Sequence, residues 1–163
     1  MIIIDTSAFI SLATADSVEM VLEEYDVQTT ETILEELVET AEYDDVHGRA
    51  ATAVLELKHE YTIHATSEPA LETSRVDSGE ASCVTLCREL SADFLIIDDL
   101  RALPELQNLT DAQVAISPIM LNALVKRNRL TEREAKRRVE TLAENRDWLE
   151  SPIYRRAQDL FSA

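Results

Sequence analysis

The chain has 163 residues, 45% of them apolar, and sets 32 acids against 15 bases for a net charge of −17. That apolar share excludes a disordered tail, and the length suits one domain able to bury roughly 68–70% of its unfolded surface. No apolar run approaches the ~20 residues that cross a bilayer, and the N-terminus carries neither a basic n-region nor a cleavage site, so a cytoplasmic protein is expected.

Only Lys58, Lys126 and Lys136 among the bases are lysines. Such a charge opposes compaction by self-repulsion unless salt screens it, and at about 1 M salt the Debye length falls to about 3 Å. The acid-rich, Lys-poor composition therefore points to a salt-adapted, halophilic source.

Residues 2–5, a β-branched run ending in Asp5, read as a buried strand of a parallel sheet. Apolar spacing from Thr6 to Glu24 predicts helix with a break near Ala15-Asp16. Val27-Gln28-Thr29 is a short strand, 30–41 an amphipathic helix and 45–58 another. Tyr61–His64 forms a third strand, and 66–76 is irregular, a loop or short helix. A helix is expected over 78–90 and a strand over Phe94–Ile97, followed by Asp98-Asp99. A short helix near 100–107, a strand over Gln113–Ile116 and helices over 118–128, 131–146 and 152–161 complete the chain. Strands alternating with helices at this spacing give βαβ units and a largely parallel, doubly wound sheet.

Cys83 and Cys87 sit four apart on one helix with no further ligands at metal-site spacing, and read as small buried hydrophobes. His47, His59 and His64 show no nucleophile arrangement and read as surface or strand residues.

Ligands of open α/β sheets bind outside the carboxyl ends of the strands, where Asp5 and Asp98-Asp99 fall. Carboxylates gathered there disfavour each other's ionisation unless a cation compensates, and hard divalent cations take oxygen ligands. The same acids also suit helix caps. Asp77 with Glu80 makes a capping box, yet Glu80 shares a face with Cys83, Val84 and Cys87 and stands at the rim of the buried side. Glu35 and Glu36 lie about 130° to either side of their helix's apolar face, so periodicity does not choose between them. A Thr32–Glu35 capping box would leave Glu36 open.

These stretches (MIIIDTS, ETILEEL, DSGEASCVTLCREL and ADFLIIDDLRA) resemble the ordered motifs of PIN-domain ribonucleases, nearest the free-standing prokaryotic, VapC-like branch. The resemblance implies a three-layer α/β/α sandwich with a central, mainly parallel sheet over residues 1–130. It offers no motif for 131–163, expected as a helical extension packed on the same domain. It implies catalytic acids at Asp5, Glu36, Glu80 and Asp99, with Ser7 and Asp77 in support. Mg²⁺ or Mn²⁺ would be held by Asp5, Glu80 and one or both of Asp98 and Asp99. The implied reaction is hydrolysis of RNA phosphodiesters to a 5′-phosphate and a 3′-hydroxyl. A homodimer and, for a toxin, an antitoxin protein are the implied partners. A PIN-like module that binds RNA or protein without cutting is the alternative.

The segment 126–138 concentrates Lys126, Arg127, Arg129, Arg133, Lys136, Arg137 and Arg138, 7 of the 15 bases. Since phosphate contacts dominate nucleic-acid affinity, this is the expected RNA-backbone surface, unless these bases pair with neighbouring acids.

Overall fold

In the computed structural model, which describes residues 1–65 and 76–162, five short strands form an all-parallel sheet. The strands are β1 (Ile2–Ile4), β2 (Val27–Thr30), β3 (Thr62–His64), β4 (Phe94–Ile96) and β5 (Gln113–Ala115), in the order β3-β2-β1-β4-β5. The helices among the described residues are α1 (Thr6–Thr14), α2 (Val18–Glu24), α3 (Glu31–Ala41), α4 (Val46–Glu56), α5 (Ser78–Leu90), α6 (Leu103–Leu109), α7 (Pro118–Lys126), α8 (Glu132–Asn145) and α9 (Pro152–Asp159). They flank the sheet as an α/β/α sandwich, and the expected irregular stretch at 66–76 lies outside the described residues except for its last position.

The apolar triplet of β1 occupies the centre of the sheet, with Ile3 and Ile4 fully buried. A strand covered on both faces must be apolar throughout, hence the unbroken Ile run. From β1 the chain winds outward to β2 and β3, then crosses back to β4 on the other side. The winding therefore reverses between β1 and β4, which opens a crevice at their carboxyl ends. Ile4 pairs with Ile96, so the next residues of both strands leave the sheet side by side.

The break between α1 and α2 has a local cause. Asp16 takes the left-handed conformation (φ 53°), and the Ser17 N–H reaches back to the Leu12 carbonyl at 2.8 Å. In α3 the cap is Thr30, whose hydroxyl accepts from the Ile33 N–H at 3.1 Å, rather than Thr32. Thr30 is the last residue of β2, so the helix starts where the strand stops.

After β5 the chain turns at Ser117 into α7, which runs to the amino edge of the sheet, and α8 returns beside α7 and α1. Ala135, Val139, Leu142, Ala143, Trp148, Ile153 and Ala157 of the last two helices and their connection are buried in the same apolar cluster as the strands.

Candidate active site

Asp5 follows β1 directly and caps α1. Its Oδ1 accepts from the Ala8 N–H at 3.0 Å and from the Ser7 hydroxyl at 2.9 Å, and Oδ2 has no partner among the described residues. Ser7 Oγ in turn accepts the Asp98 N–H at 3.0 Å, tying the tips of β1 and β4 together. Asp99 bends the chain after β4: its Oδ1 accepts from the Arg101 and Ala102 N–H groups at 2.9 and 3.3 Å.

Two helices supply the opposite walls. Glu80, in the first turn of α5, completes the capping box with Asp77: its N–H donates to Asp77 Oδ1 at 2.9 Å and its Oε2 accepts the Asp77 N–H at 3.2 Å. The capping role and a place in the cleft thus coexist. Glu36 reaches across from α3 and accepts a hydrogen bond from Thr6 through Oε2. Its carboxylate rests on Gly79, where a Cβ would fall 2.4 Å from Oε1. The absence of a side chain at Gly79 is what lets α3 and α5 bring their acids together.

Asp5, Glu36, Glu80 and Asp99 line one cleft of about 510 Å³ with Thr6, Ser7, Asp77, His47 and Arg146. Each of the four acids has one oxygen engaged by the protein and one without a hydrogen-bond partner among the described residues. Asp98 differs: Oδ1 accepts the Ser117 N–H and Oδ2 the Ser117 hydroxyl, both at 2.6 Å. Both of its oxygens hold the β5–α7 junction, and Asp98 is not on the cleft wall. Glu35 is exposed and also off the wall.

A family model described as a PIN domain matches residues 1–163. The chain belongs to the PIN-domain family. Members of this family are generally nucleases, and the match includes the helices after residue 130. Comparison with curated proteins and with solved structures finds no match.

The cleft of this PIN domain crowds negative charge out of water. Asp5 is only 4% exposed and Glu80 7%. Burial pushes the Asp5 carboxyl well above its ordinary range, and the neighbouring Asp98 and Glu80 add to that against the Ala8 and Ser7 hydrogen bonds. Burial, then Asp77, raises Glu80 to about 7, with Asp99 and Glu36 contributing. Glu36 is raised by burial, with Asp77 and Glu39 adding and the Thr6 hydroxyl opposing. Among the described residues no three His, Cys, Asp or Glu side chains are already drawn together tightly enough to hold an ion. The donor set nevertheless fits a hard divalent cation: four carboxylates, one open oxygen on each, and like charges that gain from a shared counter-charge.

The basic segment is largely turned to intramolecular partners. Arg129 pairs with Glu23 and Glu24, both at 2.6 Å, and Arg127 with Glu24 at 3.4 Å while stacking 4.4 Å over the Tyr25 ring. Lys136 pairs with Glu132 at 3.2 Å. Arg138 donates to Ala15 O at 3.1 Å, to Asp16 O and to Ser17 Oγ at 3.0 Å, sealing the α1–α2 break. Lys126, Arg133 and Arg137 make no such contact among the described residues. The α7–α8 turn abuts the end of α2 just before β2 begins, which is the amino edge of the sheet, away from the cleft.

Sequence reasoning gave no site role to Thr6, Ile10, Glu39, Thr40, His47 and Arg146, all on the wall, and the last two reach it from distant helices. His47, in the first turn of α4, has a buried Nε2 without a partner among the described residues. Arg146 arrives from the end of α8. Neither carries a local signal, because each depends on how a distant helix packs.

Proposed function

We propose that this PIN domain is a Mg²⁺- or Mn²⁺-dependent endoribonuclease. The observation that supports it is the convergence of Asp5, Glu36, Glu80 and Asp99 on one cleft, each with one open oxygen. These four would hold the cation, and Asp98 would act through Ser117 and Ser7 to position the two strand tips. A bound divalent cation supplies Lewis acidity and an acidified water for attack on a phosphodiester. Ser7 and the Ala8 N–H fix the Asp5 carboxylate, so its second oxygen points at one place. Thr6 does the same for Glu36, and the capping box for Glu80.

The finer reading places the chain in the VapC-like branch, from a salt-adapted source, and makes it a homodimer that acts as a toxin with an antitoxin partner or in RNA processing. The charge of −17 and the short motifs support this, and an antitoxin gene beside this one would decide for the toxin. The direct test of the nuclease is digestion of total RNA with Mn²⁺ or Mg²⁺ at molar KCl. The wild type is expected to cleave and Asp99→Asn to be inactive; equal products from both would defeat the assignment. Mn²⁺-free RNA binding by a wild type that never cleaves would favour the non-catalytic module.

A further inference from the structure

An RNA phosphate entering this cleft meets carboxylates from the tips of β1 and β4 and from α3 and α5, so something must offset the repulsion. The segment 126–138 lies at the other end of the sheet. The helix α8, 14 residues long, spans about 21 Å at 1.5 Å per residue. It begins at that amino edge and ends at the carboxyl edge, delivering Arg146 to the cleft.

The end of α8 is built to hold this residue. Arg146 is the C-cap, with its N–H on the Leu142 carbonyl at 2.8 Å. Asp147 follows in the left-handed conformation (φ 57°), and the Trp148 N–H returns to the Ala143 carbonyl at 2.8 Å. That is the six-to-one closure of a Schellman turn. The Trp148 ring is buried, and Ser151 donates to the Trp148 carbonyl through both N–H and hydroxyl at 2.8 Å. The backbone at 146 is therefore fixed on both sides.

The guanidinium is half-buried, yet its side chain forms neither a hydrogen bond nor an ion pair with any described residue. Asp98 and Asp5 are near enough to favour its charge against burial, but not engaged by it. Arg138 and Arg129, by contrast, are engaged, the first through Nη1 and the second through both Nη1 and Nη2. Five N–H donors held beside a cleft await an acceptor, and the planar fork of Arg matches two oxygens of a phosphate.

We propose that Arg146 binds the non-bridging oxygens of the scissile RNA phosphate, so that the C-terminal helices complete the active site. The assignment rests on the nuclease reading for its reaction but not for its phosphate contact. Arg146 faces the acids across the cleft, draws the phosphodiester against their charge and meets the negative charge that grows on its oxygens during attack. A counter-ion serving only Asp5 and Asp98 would leave RNA affinity untouched.

The test uses the full chain and a labelled single-stranded RNA oligonucleotide, with Ca²⁺ in place of Mg²⁺, titrated at several KCl concentrations. R146M is expected to bind about 10-fold or more weakly and to lower the salt slope by about 0.7, the value for one phosphate contact on a single strand. R146K keeps the charge, so its salt slope should stay, while kcat with Mn²⁺ falls about 100-fold through loss of the two-oxygen contact. Should R146M fail to fold, R146K alone decides, and wild-type kcat in it overturns the proposal. Wild-type affinity and slope in a folded R146M overturn it as well. A wild type that does not cleave, with binding still weakened in R146M, refutes the nuclease while supporting the phosphate contact. Cleavage by wild type and R146M with equal kcat and KM refutes only Arg146.

Discussion

Replacing Gly79 by Ala should separate stability from function. The added methyl would sit 2.4 Å from Glu36 Oε1, 2.6 Å from Oε2 and 2.8 Å from the carboxyl carbon. Ordinary contact begins near 3.4 Å, so Glu36 must retreat by about 1 Å, and a misplacement of that size at a reacting centre costs about 100-fold in rate. The clash is with the end of a flexible side chain, not with backbone, so the fold can yield. Alanine in a helix gains up to about 1 kcal/mol over Gly, while loss of the Thr6–Glu36 hydrogen bond costs about 1 kcal/mol or somewhat more. The two nearly cancel, and the apo Tm should move by no more than about 4 °C. Calorimetric titration with Mn²⁺ and a cleavage time course on structured RNA would read the other side: weaker cation binding and about 100-fold slower cleavage. Wild-type Mn²⁺ affinity and rate in G79A would refute the idea that Glu36 must stand where Gly79 allows it.

Asp5→Asn should raise the Tm measured in EDTA, because it removes a buried charge beside other acids, and should abolish the Tm gain on adding Mn²⁺; a retained gain contradicts the ligand assignment. The raised Glu80 means that the folded apo chain binds more protons than the unfolded chain between about pH 4.5 and about 7, and the raised Asp5 and Glu36 act in the same direction. Apo stability is thus fully present below that window and lost as pH rises through it, whereas cleavage with Mn²⁺ should climb over the same range as protons leave the ligands. Melting curves in EDTA that are flat with pH would oppose this. Raising KCl from about 0.1 to about 2 M should raise the Tm, since shortening the Debye length damps the self-repulsion of a −17 chain; an unchanged or falling Tm would oppose it.

Much of the architecture was readable because its signals are local. The Ile run of β1 ending in Asp5, the Asp77–Glu80 box of α5 and the Asp pair after β4 each declare an element boundary within a few residues. The choices that sequence left open turn on remote contacts. Glu36 rather than Glu35 faces the cleft because Thr6 and Gly79 receive it, one 30 residues earlier in the chain and the other on a different helix. Asp98 is separated from Asp99 by Ser117, 19 residues downstream. In the basic stretch, composition counts charges and not partners: Glu23 and Glu24, more than 100 residues away, claim Arg127 and Arg129. Arg146 and His47 could not be anticipated, as nothing near them in sequence marks the direction in which α8 and α4 deliver them.

The hydroxyl of Ser7 donates to Asp5 while accepting from the Asp98 amide, and Asp98 is in turn clasped by Ser117. Asp5, sewn to the tip of β4 in this way, has little room to adjust to ions of different radius. The longer glutamates on α3 and α5 do have that reach. Any preference between small and large divalent ions would then be set by how far Glu36 and Glu80 can extend, and substitutions that tune ionic size selectivity should cluster on the helices, leaving the sheet unchanged.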